Sequence, residues 1–422
     1  MFSLIDGNNF YVSCERVFNP LLEGQPVIVL SNNDSSVIAR SNEAKDLGVQ
    51  MGVPYFQIKS FLEEHNVKTL SSNYALYGDM SQRMMNILST FSDEIEIYSI
   101  DECFLSLNGF ERWDLLEYGK EIRQTVLQDL GIPTCVGIGP TKTLSKVANH
   151  LAKKMSRKDK TASGVLLLDT EEKWKEALKQ TKVEDVWGIG RQYAKKLHSY
   201  QITHAFDLAR VRRAWAKKHL GGIVGERIIE ELNGTSCIEM ELVPRPKQSI
   251  CVSRSFGKIV TELGELSEAV STYASKAAEK LRTEETVAAV LSIFIQSSQH
   301  KTNPFNAGIT ITLPSPSSDS RILAHYALEG LRKIFKEGIE YKKAGIVLNG
   351  IVSAKYQQTQ LFEERPSNPA LMKVIDKINK RWGQGSVFLA SNGTTQEWQM
   401  LSTMRSKRFT TRWKELPVVN CK

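Results

Sequence analysis

The sequence predicts a multidomain chain with an α/β part followed by an α+β part. Within residues 1–165, strand-like and helix-like stretches are mixed in the way typical of a layered α/β core. After Pro244 and Pro246 a new order of strand, helix, strand, strand and helix begins, which suits a small α+β domain. The chain length leaves room for about three domains that can each bury a core.

The elements follow from hydrophobic patterns and turn signals along the chain. We predict strands at 2–5, 27–30, 95–100, 104–107 and 134–139, and helices at 40–48, 117–130 and 141–154. Residues 161–180 then give a strand and a helix, and residues 182–240 are mostly helical with the hairpin-like turn VWGIGRQ. The last regular unit has strands at 249–256, 287–297 and 307–313, with helices at 265–284 and 319–336. Beyond residue 351 the pattern fades into a polar tail.

Charge and cysteine content limit the classes of function. The formal net charge is +8, and residues 365–422 account for all of it with 11 Lys/Arg against 3 Asp/Glu. This tail is either a solvated segment or a surface for an acidic partner or DNA. The six cysteines have no paired short spacing, so we expect reduced thiols, without a zinc site or disulfide framework. No signal peptide or membrane-spanning run is apparent, so we expect a cytoplasmic protein without membrane association.

The pair Asp101-Glu102 is the most informative acidic motif. Such a dipeptide usually marks a solvated turn, but this one stands between two apolar strands. Asp6 ends another apolar strand, and if the strands are neighbours the three carboxylates form a cluster. Close carboxylates need a cation, and Mg²⁺ prefers carboxylate oxygen. The cluster could hold two ions about 3.5–4 Å apart, as used for phosphoryl transfer.

Four segments carry a family resemblance: DGNNFYVSCER (6–16), YSIDECF (98–104), VGIGPTKTLSKVANHLAK (136–153) and VWGIGR (186–191). They resemble the Y-family translesion DNA polymerases, most closely the UmuC type, the catalytic subunit of bacterial DNA polymerase V. The resemblance covers essentially the whole chain and implies a right-hand polymerase fold. It implies a palm at 1–22 and 76–165, small fingers at 23–75, and a helical thumb with a helix-hairpin-helix at 166–240. A little finger at 245–350 and a basic tail with a clamp-binding peptide at 351–422 would follow.

The resemblance also implies roles for single residues in catalysis. Asp6 and Asp101 would bind both metal ions, Glu102 the catalytic one, and the carbonyl of Gly7 would be a further ligand. Tyr11 falls at the steric-gate position that excludes a ribose 2′-hydroxyl, although Phe10 and Tyr11 could both be core aromatics. The triphosphate-binding residues would be Lys45 and Lys153. Lys45 stands where many members have arginine and Asn42 where they have tyrosine, whereas Lys142 and Lys146 fit a solvated helix face as well as substrate contact.

Further residues would bind DNA and partner proteins. Gly188 and Gly190 resemble a helix-hairpin-helix turn that contacts DNA phosphate through backbone N–H groups. The resemblance implies that Lys247, Arg254 and Lys258 grip the duplex, and the alternative is an edge strand protected by charge. Within QTQLF, Gln358, Leu361 and Phe362 would fill pockets of a sliding clamp. The other partners implied are a processed UmuD-type dimer and RecA.

The expected function is error-prone, DNA-directed DNA synthesis past lesions in the SOS response of a bacterium, with nucleoid-associated localisation. The reaction would be two-metal nucleotidyl transfer from a dNTP to a primer on a template, without proofreading. A non-catalytic DNA-binding scaffold of a damage-response complex is the alternative, and a metal-dependent nuclease is a third interpretation. Lesion preference and the need for partners stay open.

Overall fold

The computed structural model describes residues 1–159, 161–356 and 367–418. The chain divides into two compact units, one formed by Met1–Pro244 with Thr403–Lys422 and the other by Arg245–Ser402. Within the described ranges, no helix is both long enough and apolar enough to cross a membrane. The five cysteines in these ranges are free thiols, as predicted, and Cys421 lies outside them.

The first unit combines eight strands with eleven helices in the described part of the chain. Its strands are β1 (Phe2–Gly7), β2 (Val27–Leu30), β3 (Val37–Arg40), β4 (Lys68–Ser71), β5 (Ile95–Ile97), β6 (Glu102–Ser106), β7 (Thr134–Gly139) and β8 (Val165–Leu167). Its helices are α1 (Phe10–Phe18), α2 (Asn42–Asp46), α3 (Tyr55–Glu64), α4 (Tyr74–Leu88), α5 (Leu115–Leu130), α6 (Lys142–Lys158), α7 (Glu171–Gln180), α8 (Arg191–Ser199), α9 (Ala205–Ala209), α10 (Arg213–His219) and α11 (Ile223–Leu232).

A five-stranded sheet in the order β5-β6-β1-β7-β8 forms the centre of this unit. Helices α5 and α6 cover its opposite faces, as the glycines show. A Cβ on Gly119 of α5 would meet Val136 and Ile138, whereas a Cβ on Gly137 would lie 2.2 Å from the backbone nitrogen of Asn149 in α6. Successive side chains of a strand point to opposite faces of the sheet, so the strand residues directly opposite Gly137 face α6, as Gly137 does.

The rest of the first unit is a small sheet and a helical bundle. Strands β3, β2 and β4 form a three-stranded sheet in that order, with α2 and α3 in the same apolar cluster. Helices α7 to α11 share another core with the apolar face of α6. Lys142, expected on a solvated helix face or against substrate, is 1% exposed at the start of α6 and ion-pairs with Glu96 of β5.

The second unit has four antiparallel strands in the order β11-β10-β12-β9. Its elements are β9 (Ile250–Val260), α12 (Leu263–Thr283), β10 (Thr286–Ser297), β11 (Asn306–Ser317), α13 (Ser320–Ile334), β12 (Tyr341–Ser353) and α14 (Pro369–Trp382). Helices α12 and α13 bury their alanine-rich and leucine-rich faces against the sheet. This is the α+β arrangement that the sequence predicts.

The segment predicted as an irregular tail contains regular structure in its described residues. Helix α14 lies within it, with Asn368 as N-cap, Pro369 at its first position and Gly383 as C-cap. Trp398 is 4% exposed and its ring meets Tyr273 of α12 edge-on at 5.7 Å. The described residues from Thr403 onward belong to the first unit instead. The tail therefore contributes to both units.

Candidate active site

Strand register brings the acidic residues together. β1 and β6 are antiparallel neighbours in which Asp6 is directly opposite Glu102, so both side chains lie on one face of the sheet. Asp101 immediately precedes β6, and its carbonyl accepts a hydrogen bond of 2.9 Å from the backbone N–H of Gly7. The neighbouring strands on which the predicted three-carboxylate cluster depends are thus present.

Each carboxylate has a partner from within the protein. Lys153 of α6 forms an ion pair with Asp6, and Lys146, two turns earlier, donates to both oxygens of Glu102 at 3.0 and 3.1 Å. Asp101 accepts a hydrogen bond of 2.7 Å from the Ser99 hydroxyl. Two lysines of α6 therefore neutralise two of the three carboxylates.

Burial changes the protonation of Asp6. The pKa of Asp6 is raised to about 7, chiefly because burial disfavours the charged form, while Glu102 and Asp101 add repulsion. The nearby Lys153 opposes this change and lowers the pKa. The carboxylate thus lies where further positive charge would be strongly favoured.

The donor chemistry suits a hard divalent cation, but the side chains are not gathered around one. Among the described residues, no group of three or more His, Cys, Asp or Glu side chains is arranged to hold a metal ion. The carboxylates instead turn to Lys153, Lys146 and Ser99. An ion could replace the lysine charges, because burial, with some repulsion from Glu102 and Asp101, raises the pKa of Asp6 and a bound cation would stabilise its charged form. The three carboxylates would fit a divalent cation once Lys153 and Lys146 turn away.

Tyr11 lies at the start of α1 in an aromatic cluster. Its ring stacks on Tyr77 with centroids 4.4 Å apart and planes 14° from parallel, and it meets Tyr74 edge-on at 6.1 Å. Burial and the charge of Asp101, among other causes, raise the pKa of the Tyr11 hydroxyl, with burial first. Tyr11 is half-buried, whereas Phe10 is 3% exposed and belongs to the core. Tyr11 is therefore more accessible to a substrate than Phe10.

A basic cavity of about 410 Å³ adjoins the carboxylates. The basic side chains that line it are Arg16, Lys45, Arg123, His150, Lys153, Lys154 and Arg157. Among the described residues, no aspartate or glutamate lines it. Since Lys153 also pairs with Asp6, the cavity opens beside the acidic cluster. Such a cavity suits a polyanion such as a triphosphate.

Burial and neighbouring cations oppose the charge of Lys45 in this cavity. The pKa of Lys45 is lowered to about 8, first by burial and then by repulsion from Arg40, Arg157 and Lys153. Its ammonium group donates to the Asn9 side chain, and Asn9 in turn donates to Asn42 at 3.1 Å. Asn42, which departs from the family pattern, therefore orients the asparagine that holds Lys45.

The hairpin predicted to contact DNA connects the helical part to the acidic turn. Gly188 has φ of +91°, a conformation that favours glycine, and Gly190 precedes the first residue of α8. Trp187, next to Gly188, donates a hydrogen bond of 3.0 Å to the hydroxyl of Tyr98, which follows β5. The Lys146 ammonium group lies 4.3 Å from the Tyr98 ring centroid. Because Lys146 also donates to Glu102, these contacts link the hairpin to the acidic site.

The predicted DNA-gripping residues of the second unit are all exposed. Lys247 precedes β9 and ion-pairs with Glu284, while Lys258 lies between Glu265 and Glu397 at 2.8 and 2.7 Å. Arg254 donates to the carbonyl of Ser253. Each of the three cations therefore has a partner within the second unit. The predicted clamp-binding residues Gln358, Leu361 and Phe362 lie outside the described residues.

Sequence reasoning missed several basic residues of the site. Lys146 was assigned to substrate contact or to solvent, but it contacts Glu102. Arg16, Arg123, His150 and Arg157 were not predicted, although α6 presents basic residues at helical spacing. That spacing on α6 could have indicated the face that meets Asp6 and Glu102.

The comparisons with known proteins agree along the chain. Residues 5–150 match the model of the impB/mucB/samB family, residues 247–361 match that family's C-terminal domain, and residues 369–419 match a domain of unknown function. Protein UmuC of Salmonella typhimurium is 43% identical over 422 residues, which is 99% of both chains. Protein ImpB of Salmonella typhimurium is 41% identical over 426 residues, again 99% of both.

A solved structure supports the fold. A Y-family DNA polymerase chimera built from Dbh and Dpo4 matches with a TM-score of 0.65 at 19% identity and covers 84% of this chain and all of its own. The right-hand polymerase fold predicted from the sequence is thereby confirmed. With the identity over the full length, the chain belongs to the impB/mucB/samB family, the UmuC type of the Y-family translesion DNA polymerases.

Proposed function

We propose that this error-prone translesion DNA polymerase uses Asp6, Asp101 and Glu102 to transfer a nucleotide from a dNTP to a primer 3′-hydroxyl. The observation that supports it most is the pairing of Asp6 with Glu102 beside a cavity lined with basic side chains. The α-phosphate would sit between the carboxylates and the cavity, with pyrophosphate leaving on the cavity side. No segment of the chain suggests a proofreading site.

The metal we propose is Mg²⁺, with two ions at the carboxylates. Asp6 and Asp101 would hold both, Glu102 the one at the primer, and the carbonyl of Gly7 would complete the set. When bound, the ions would lower the pKa of the attacking hydroxyl and neutralise charge on the leaving group. Lys153 and Lys146 would release the carboxylates as the ions enter, and Lys153 would turn toward phosphate.

The incoming nucleotide would be held at its triphosphate and at its sugar. Lys45 and Lys153 would bind the triphosphate as point charges, with Lys45 held by Asn9. Tyr11 would contact the sugar, where its ring excludes a 2′-hydroxyl. Its stacking on the fully buried Tyr77 fixes the plane of the ring, which a steric gate requires.

We assign the palm to 1–22 and 76–165, the fingers to 23–75, the thumb to 166–240 and the little finger to 245–350. DNA would be gripped without sequence reading by the hairpin at Gly188 and Gly190 and by Lys247, Arg254 and Lys258. The exposure of these three cations supports that role, although Lys247 and Lys258 would first have to leave their acidic partners.

We further propose action in the SOS response at the bacterial nucleoid, together with a processed UmuD-type dimer and RecA. Membership of the UmuC type supports these partners. A sliding clamp would bind Gln358, Leu361 and Phe362, and the QTQLF sequence supports this.

Primer extension with Asp101→Asn tests the catalytic assignment. The substitution removes the negative charge but keeps the shape, so we expect extension to fall at least about a hundredfold if the residue holds the metals. Asp93→Asn is the matched control, because Asp93 is an exposed carboxylate on the loop before β5. Wild-type activity in Asp101→Asn would end the proposal, and template degradation in place of extension would indicate the nuclease.

A further inference from the structure

The C-terminal segment Thr403–Phe409 lies against the helices that carry the aromatic cluster. It begins with a bridge between Ser71 and Arg405, where Met404 accepts a hydrogen bond from Ser71 N–H and donates one to its hydroxyl. It ends with the Phe409 ring stacked on Phe18 of α1 at 4.9 Å. The segment belongs to the region that matches a domain of unknown function. The segment is part of the first unit.

A buried carboxylate links this segment to the aromatic cluster. Glu15 of α1 is 2% exposed, and its Oε1 accepts hydrogen bonds from the Tyr77 hydroxyl at 2.7 Å and from the Ser406 hydroxyl at 3.0 Å. Burial raises the pKa of Glu15, while these two hydroxyls lower it. A buried carboxyl group needs its hydrogen bonds, so Ser406 supplies one of the two that orient Glu15 toward Tyr77.

The segment also holds the beginning of helix α4. Asn73 is 1% exposed and caps α4 by accepting from Leu76 N–H. Its amide nitrogen donates to the Ser406 carbonyl, the Ser406 hydroxyl and the Lys407 carbonyl at 3.2, 2.9 and 3.1 Å. Thus the residue that caps α4 is bound to the C-terminal segment. Tyr74 and Tyr77 follow it in the first turn and are positioned by it.

The aromatic contacts carry this restraint to Tyr11. Tyr77 stacks on Tyr11 face to face, and Tyr74 meets both rings edge-on, at 6.1 and 6.3 Å. Tyr77 is completely buried, so its ring cannot move without its hydroxyl leaving Glu15. A movement of Ser406 would therefore shift Glu15 and Asn73, and through them the Tyr77 ring on which Tyr11 stacks.

We propose that Ser406 of the C-terminal segment is a positioning residue for sugar selection, acting through Glu15, Asn73 and Tyr77 on the Tyr11 ring. The inference rests on the proposed gate role of Tyr11 and gives the segment a part in the reaction. Ser406 touches no reacting atom. It holds Tyr77, on which the Tyr11 ring stacks, in the position that leaves room for deoxyribose and none for a 2′-hydroxyl.

The test is single-nucleotide insertion by the full-length chain, comparing kcat/KM for a dNTP with kcat/KM for the matching rNTP. Ser406→Ala removes the donor to Glu15 and an acceptor for Asn73. We expect the dNTP preference to fall about threefold to tenfold, the effect of one hydrogen bond. The fall should come from improved rNTP insertion, with dNTP insertion nearly unchanged, which a purely structural role would not produce. Tyr77→Phe, which keeps the ring, should act in the same direction.

Matched variants complete the design. Ser406→Thr keeps the hydroxyl and should retain the wild-type preference. Thr403→Ala alters the same segment, but the Thr403 hydroxyl donates to Asp34 and not to Glu15 or Asn73, so the preference should not change. A wild-type preference in both Ser406→Ala and Tyr77→Phe would overturn the inference.

Tyr11→Ala distinguishes the two levels of the argument. If it admits ribonucleotides while Ser406→Ala and Tyr77→Phe do not, only the role of the C-terminal segment is wrong. If Tyr11→Ala keeps the wild-type sugar preference, the proposed gate fails, and the inference that rests on it fails as well.

Discussion

Lys45 shows how one residue can make substrate binding depend on pH. Its pKa is about 8, lowered by burial and by neighbouring cations, so the ammonium group loses its proton as the pH rises through that value. A triphosphate binds the charged form. We therefore expect the KM for dNTP to be flat below about pH 7 and to rise above pH 8, toward about tenfold per pH unit. Steady-state insertion between about pH 6.5 and 9.5 measures this.

The matched variant is Lys45→Arg. A guanidinium group stays charged throughout this range, so the KM for dNTP should lose most of its rise above pH 8. If the wild type and Lys45→Arg show the same pH profile, another group causes the change, and Lys45 does not bind the triphosphate.

The positions of individual residues were predictable where strand pairing alone determines them. Asp6 and Glu102 flank apolar strands, and strand register then brings them to one face. Lys142 and Lys146 were not separable in the sequence, because both are lysines on one helix. In the structure Lys142 faces the buried Glu96, whereas Lys146 reaches Glu102. Which acid a lysine meets depends on how α6 packs, and the helical pattern does not contain that information.

Close packing of α6 against β7 holds the lysines over the carboxylates. A Cβ on Gly137 would lie 2.2 Å from the Asn149 backbone nitrogen and 2.3 Å from the Ser145 carbonyl oxygen. Backbone cannot move aside as a side chain can, so Gly137→Ala should cost at least about 3 kcal/mol of unfolding free energy. Gly78→Ala in α4 is the control, because a Cβ there meets open space. Thermal denaturation of the two variants should show a large loss for Gly137→Ala alone; equal melting temperatures would contradict the close approach.

A buried ion pair fastens the segment before the second unit to the sheet. Lys142 pairs with Glu96 and donates to the Glu239 carbonyl at 2.8 Å, and Glu96 accepts from the Glu241 N–H at 2.7 Å. Lys142→Met leaves Glu96 without its cation and should lower the free energy of unfolding by about 3–5 kcal/mol.

The double variant Lys142→Met with Glu96→Gln removes both charges. It should be more stable than Lys142→Met alone, because no unpaired charge remains buried. Urea denaturation compares the two. A double variant less stable than the single one would show that the pair is not what stabilises this junction.

Elements were predictable when their pattern was long and amphipathic. Helices α5, α6, α12 and α13 and the strands around Asp101 lie close to their predicted places. Helices α1, α4 and α14 were not predicted. α1 begins in DGNNF, where Asn9 has a positive φ that reads as a turn, and α14 exposes one face on a polar segment. Tertiary contacts rather than local pattern stabilise these helices.

At the scale of the whole molecule, the two units have separate cores. The core around α12 and α13 contains residues only of the second unit, and the remaining cores belong to the first. We expect two transitions in thermal denaturation, because multidomain chains depart from two-state unfolding.

Two glycine substitutions identify these transitions. Gly137→Ala should shift only one of them, and Gly345→Ala the other, because a Cβ on Gly345 would lie 2.4 Å from the Phe294 ring. Calorimetry measures both. A single transition moved equally by both substitutions would contradict independent cores.

The distribution of charge was predicted only in part at this scale. The sequence places the net charge of +8 in the C-terminal region and predicts either a solvated segment or a surface for an acidic partner or DNA. The structure instead divides that region between the units and seats Phe409 on Phe18. Net charge does not show which apolar side chains of a basic segment pack against the rest of the fold, so this part of the fold could not be predicted from composition.

Primer extension past an abasic template site tests the central claim, that a translesion polymerase works through Asp6, Asp101 and Glu102. The full-length chain would be assayed with Mg²⁺, with and without the clamp, RecA and a UmuD-type partner, beside Asp101→Asn. We predict that the wild type inserts opposite the abasic site and extends beyond it, and that Asp101→Asn does neither under any of these conditions. Equal bypass by both proteins would contradict the account.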